Sequence, residues 1–193
     1  MKKRRNQNSL APGEPDKTED DFYYDAMELL SAGHVTEAKR LLLKAVEKSP
    51  HSVQSFIGLT AVYEATGDVG KTRECTDLAF RLTQAKFRPW PKRMLWGILE
   101  NRKYLRAIAN RAMFYHQDGE NERAEKLYRL LLKLNPHDNQ GIRFLLAGLY
   151  AKISPQTVDN YVEEGNRKQN WSKVDRLLAT QNGKRRFWKA PRE

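Results

Sequence analysis

Apolar residues recur at helical spacing along most of the chain. Between residues 105 and 136 they fall at Ile108, Ala112 and Tyr115, then at Ala124, Tyr128 and Leu131. Each run lays one apolar stripe along one side of a helix. The segment HQDGE separates them, with Gly119 placed to end the first helix and reverse the chain, and Pro136 follows where the second should stop. The unit is a helix hairpin of about 34 residues, too thin to bury both faces without neighbours of its own kind.

Two earlier segments repeat the layout. Residues 22–50 supply Ala26, Gly33, Ala38, Leu42, Ala45 and Pro50; residues 56–84 supply Phe56, Leu59, Tyr63, Gly67 and Ala79. Gly33 and Gly67 are 34 positions apart, while Gly67 and Gly119, Tyr63 and Tyr115, and Ala79 and Leu131 are all 52 apart. One insertion of 18 residues, at about 86–104, accounts for every pair. A fourth start carries Ile142, Leu145, Leu146 and Leu149 on one stripe. No stretch alternates long enough for a strand, so the chain reads as all-α.

The remaining segments are read from their punctuation. Residues 1–18 form a basic leader poor in apolar residues, expected to be disordered. Glu19, Asp20 and Asp21 suit a helix N-terminus, and Ser52 suits a cap. Pro89 and Pro91 bracket Trp90 and forbid a helix through that point. KRMLWGILEN, residues 92–101, reads as a short helix with Met94, Leu95 and Ile98 apolar, which either runs on into LRAIANRA or is separated from it by a bend near Asn101. Pro155 suits a first helical position after Ser154. A last helix, capped by Ser172 and ended at Gly183, brings Val174, Leu177 and Leu178 inward and serves as a cap for the array; a basic tail, 184–193, follows.

The small residues Ala26 and Ala112, the turn glycines Gly33, Gly67 and Gly119, the small residues Ala38 and Ala124, and the prolines Pro50 and Pro136 together resemble the tetratricopeptide repeat (TPR) family. The second copy departs from that pattern with Thr60, Thr72, Thr76 and Gln84, and the fourth lacks its turn glycine. The resemblance covers about residues 20–150. It implies a right-handed superhelical stack of helix hairpins with a concave groove, used for binding rather than catalysis. LENRKYLRA and LNPHDNQGIRFLLAGLY also resemble a group of uncharacterised bacterial TPR proteins, which adds no activity.

Composition narrows the function. The net charge is +11, yet residues 19–85 and 112–164 hold 13 basic and 19 acidic residues. The excess sits in residues 86–111, with eight basic residues against Glu100, and in residues 165–193, with nine against two. All four tryptophans, Trp90, Trp96, Trp171 and Trp188, share those segments. Cys75 stands alone and is expected in or near the core, so no internal disulfide forms. The four histidines are not at metal-ligand spacing, GDVGKT lacks the first glycine of a phosphate loop, and no catalytic triad is visible; neither metal, cofactor nor enzymatic activity is expected. Without an apolar segment behind the basic start or a long apolar run, the chain reads as soluble and cytoplasmic, with no membrane partner.

The groove face should hold Arg106, Ala109, Asn110, Met113 and Gln117 in the third copy, and Gln140, Arg143 and Ala147 in the fourth; Arg102 lies one turn before Arg106. Some TPR members grip a peptide carboxylate there with Lys, Asn and Arg, a match carried here by Arg106, Asn110 and Arg143 alone. The first reading is therefore a non-catalytic interaction module whose groove takes an acidic protein segment. The alternative is RNA or single-stranded nucleic acid binding through Trp90, Lys92, Arg93, Lys184, Arg185, Arg186 and Trp188, where aromatics stack on bases and cations meet phosphates.

Overall fold

The computed structural model describes residues 17–191, which form nine α-helices and no strand. They are α1 (Glu19–Ser31), α2 (Val35–Lys48), α3 (Val53–Ala65), α4 (Val69–Lys86), α5 (Leu99–Gln117), α6 (Asn121–Leu134), α7 (Ile142–Ala151), α8 (Pro155–Lys168) and α9 (Ser172–Arg185). The expectation of disorder over residues 1–18 falls outside the described residues except at Lys17 and Thr18, where Thr18 forms a capping box with Asp21 at the start of α1.

Local signals set the helix ends. Gly33, Gly67 and Gly119 close the first three hairpins with φ of 83°, 71° and 76°, a left-handed conformation that glycine adopts without steric cost. The side chains of Ser52, Asp68 and Ser154 accept from the backbone N–H groups of Ser55, Lys71 and Thr157, and Pro155 opens α8.

The helices pack as neighbouring pairs, α1 on α2, α3 on α4 and α5 on α6, and the pairs join through α2 on α3, α4 on α5 and α6 on α7. The first helices also touch one another, α1 on α3 and α3 on α5. α3, in the middle, is buried on nearly every side. Adding a Cβ at its Gly58 would bring it within 2.5 Å of Leu42 Cδ2 and 3.3 Å of Tyr23, so glycine permits this close approach of α1, α2 and α3. The threonines that break the second copy's small-residue pattern are buried with their hydroxyls satisfied: Thr60 donates to the Phe56 carbonyl at 3.0 Å, Thr72 to Asp68 at 2.7 Å, and the Thr60 and Thr76 hydroxyls lie 3.4 Å apart. Each avoids the roughly 1–3 kcal/mol cost of an unpaired buried hydroxyl. Two ion pairs clamp α4 to the third hairpin, Arg73 with Asp118 and Asp77 with Arg111. Cys75 is buried in the core, and burial pushes its thiol up to about 11.

Three expectations are corrected. Residues 92–98 are not helical: the chain between α4 and α5 is irregular, and α5 runs unbroken through Asn101 from Leu99. Met94 is buried and its N–H donates to the Leu134 carbonyl at 2.8 Å, so a long-range anchor replaces the short helix. Ser172 is the first residue of α9, with Trp171 at the N-cap position, and α9 passes Gly183 to end at Arg185 because Arg186 takes the left-handed terminating conformation. The fourth copy also departs from the earlier layout. α7 packs chiefly on α6 and α9, while α8 packs on α9 and α7 and makes a smaller contact with α5. Among the described residues no helix is long and apolar enough to cross a membrane.

Candidate partner-binding site

α5 carries the site. Its packed faces bury Tyr104, Leu105, Ile108 and Ala112. Spaced four, four, three and four residues apart, Arg102, Arg106, Asn110, Met113 and Gln117 follow the helical repeat along a different face, over about 22 Å at 1.5 Å per residue. Ala109, expected on the same face, is buried.

The C-terminal half of this stripe opens on a cavity of about 500 Å³. α5 contributes Asn110, Met113, Phe114 and Gln117 to its wall. The α3–α4 turn brings Tyr63, Glu64, Gly67, Val69 and Thr72, and the start of α8 brings Pro155, Gln156 and Asp159. The wall thus combines aromatic and thioether surface with amides and two carboxylates, and contains neither lysine nor arginine. Burial raises the Glu64 carboxyl above its ordinary range; burial and then the nearby Glu163 charge raise that of Asp159. Lys39 and Lys71 lie over the Tyr63 ring, at 4.9 and 5.5 Å, without lining the cavity.

The N-terminal half of the stripe is basic. Arg102 Nε donates to the Trp96 carbonyl at 3.0 Å, and both guanidiniums face the Trp96 ring, at 5.2 Å for Arg102 and 5.3 Å for Arg106. Cation–π contact of this kind stabilises by about 0.5–1 kcal/mol at exposed sites. Neither arginine has a carboxylate partner among the described residues, whereas Lys103 is paired with Glu100. Burial raises the Tyr23 phenol, and the Arg106 charge opposes that shift across the α1–α5 gap.

Gln140 and Arg143 do not join this stripe. Gln140 lies in the turn before α7, and Ala147 is fully buried. Arg143 is engaged: its Nη1 donates to Asp138 Oδ2 at 2.9 Å, and its guanidinium sits 4.2 Å from the Phe144 ring and 5.0 Å from Trp188. Neither Arg106 nor Arg143 borders the cavity.

Of the residues considered for nucleic acid, the two tryptophans are packed, while the basic side chains are exposed, Arg93 and Arg185 also making contacts within the chain. Trp90 stacks on Phe87 at 6.4 Å, Arg93 donates to the Lys133 carbonyl at 3.0 Å, and Arg185 lies 4.2 Å over Tyr150. Trp188 exchanges two hydrogen bonds with Asn182, both 2.9 Å, and points Nε1 at the Pro136 carbonyl. Lys92, Lys184 and Arg186 are exposed. The insertion and the tail thereby converge on the C-terminal end of α6, where Arg129, Lys133 and Lys189 border a second, smaller hollow with Phe187 and Trp188.

Sequence reasoning missed Tyr63, Glu64, Pro155, Gln156 and Asp159. Tyr63 was visible as a repeat residue, but nothing local says that α8 is brought against α5. Among the described residues no group of three or more His, Cys, Asp or Glu could hold a metal. Comparison of the chain with protein-family models, curated proteins and solved structures finds no match.

Proposed function

We propose that the protein is a non-catalytic interaction module of TPR-like design, which holds a segment of another protein along α5. The observation that carries this reading is the cavity itself: Asn110, Met113 and Gln117, which share one helical stripe, border a recess of about 500 Å³ with apolar, amide and carboxylate walls. Such a mixture, apolar surface with a few convergent polar groups, suits a bound side chain or peptide. Arg102 and Arg106, which have no carboxylate partner among the described residues, favour an acidic residue at the other end of the segment, since a guanidinium grips a carboxylate through parallel hydrogen bonds.

Affinity capture from native lysate, with the wild-type chain against Met113→Glu and Arg106→Glu, tests the reading. Partners lost with either variant, and weakened by salt, support it. Capture unchanged in both variants moves the binding surface off α5.

A second reading, single-stranded nucleic acid binding, draws support from the convergence of the basic insertion and tail at the end of α6. It requires retention of mixed RNA on a filter with steep salt dependence, and loss of retention when residues 184–193 are removed.

A further inference from the structure

The groove reading assigns an acidic residue of the partner to Arg102 and Arg106 but leaves the cavity without a defined occupant. Its wall is anionic. Glu64 and Asp159 reach it from α3 and α8, and among the described residues neither carboxylate has an ion-pair partner. The arginines nearest on α4 and α5 are spent elsewhere, Arg73 on Asp118 and Arg111 on Asp77. Around the carboxylates stand hydrogen-bond acceptors from Asn110, Gln117 and Gln156, and the rings of Tyr63 and Phe114. An ammonium or guanidinium is attracted by the carboxylates through charge and by the amide oxygens through hydrogen bonding, while the Tyr63 ring already faces Lys39 and Lys71 and the Phe114 ring faces Arg73. A carboxylate or phosphate in the same space would meet like charge.

We infer that the cavity between the α3–α4 turn, α5 and the start of α8 receives a lysine or arginine side chain of the bound segment, held by Glu64 and Asp159. This rests on the groove reading and adds polarity to it: the segment is basic at the cavity and acidic at Arg106. Arg106 and Met113 are about 10 Å apart along α5, which an extended chain covers in roughly three residues. The preferred segment therefore carries an acidic residue about three positions from a basic one. Both carboxyls stand at the exposed mouth of the recess, and partial burial shifts each upward, a shift that a bound cation would oppose.

A random dodecapeptide phage library selected on the full chain provides the probe. Enriched peptides, made synthetically, are titrated by fluorescence anisotropy against the wild-type chain, the Glu64→Gln/Asp159→Asn double variant and Met113→Lys, which places a like charge in the cavity, with circular dichroism to confirm folding. The expected result is a shared Lys or Arg whose replacement by Gln weakens binding at least tenfold to the wild type and less than twofold to the double variant. Peptides that depend on Met113 yet share no basic residue, or whose Lys-to-Gln loss is equal in both proteins, overturn the cation assignment and leave the groove standing. Selection that enriches no Met113-dependent peptide overturns the groove reading and the inference together.

Discussion

Trp188 closes over Arg143, its ring centre 5.0 Å from the guanidinium carbon, while Asp138 holds the same guanidinium from the opposite partner set through Oδ2 at 2.9 Å. Asp138 is almost fully buried, sits at a φ of 51°, and also accepts from the Ile142 and Arg143 N–H groups at 2.7 and 3.0 Å. One carboxylate thus starts α7 and pairs the arginine that the tail covers.

That arrangement makes Asp138→Ala the most damaging single change near α7. It removes two acceptor contacts at the start of α7 and leaves Arg143, a quarter exposed, without its charge partner, a loss of about 1–3 kcal/mol. Urea unfolding should show a drop of roughly that size. Trp188→Ala removes only the cover and its Asn182-anchored turn, and should cost about 1–2 kcal/mol. Limited trypsin digestion should then cut at Lys184 to Lys189 in the variant well before the wild type.

The Arg73–Asp118 pair predicts a pH signature. Its hydrogen bonds to Arg73 hold the Asp118 carboxyl below its ordinary value of 3.8. A depressed folded pKa adds stability above the unfolded value and loses it as pH falls through the folded one. Asp118→Asn should therefore be less stable than the wild type at pH 7, with the gap closing below about pH 4. Because the pair is largely solvent-exposed, the gap should be small, and 1 M salt should shrink it further. Thermal melts at pH 3 and pH 7 are the measurement.

Gly119→Ala isolates backbone strain. A Cβ there meets nothing within 4 Å, so no clash contributes, and the φ of 76° supplies the whole penalty. A loss of about 1–2 kcal/mol is expected, with α5 and α6 otherwise intact by circular dichroism. An unchanged midpoint would mean that the turn relaxes to another closure.

The hairpins were legible because their determinants are local. Gly33, Gly67 and Gly119 need only their own φ, and Ala26, Ala38 and Ala124 mark close contact within a hairpin. The insertion was not legible, because Met94, Leu95 and Ile98 mimic helical spacing while Met94 is fixed by the distant Leu134 carbonyl. Leu95 and Ile98 are in fact exposed. Half of the candidate site was readable for the same reason: Asn110, Met113 and Gln117 follow from one helix's periodicity. Glu64 and Asp159 do not, since 95 positions separate them and only the placement of α8 against α5 joins them. Asp138 had a faint signal, an acidic residue three positions before Gly141 at the head of an apolar run.

Glu64 gives the last test, because its effect on stability has the opposite sign from that of Asp118. Burial raises its carboxyl above the ordinary 4.5, so the folded state takes up a proton more readily than the unfolded state. A raised carboxyl lowers stability as pH climbs from the unfolded value through the folded one, and the cost is complete above that window. Glu64→Gln keeps the shape and removes the charge, so it should be more stable than the wild type at pH 7 and equal to it near pH 4. Chemical unfolding at the two pH values decides the matter, and a variant that is less stable at pH 7 would show that Glu64 has a stabilising partner. Because Glu64 is largely exposed, solvent screening should keep the difference small. Adding a selected Lys- or Arg-bearing peptide should raise the wild-type melting temperature more than that of Glu64→Gln, since at equal concentration a ligand that binds the folded state more tightly stabilises it more, by a logarithmic dependence on affinity.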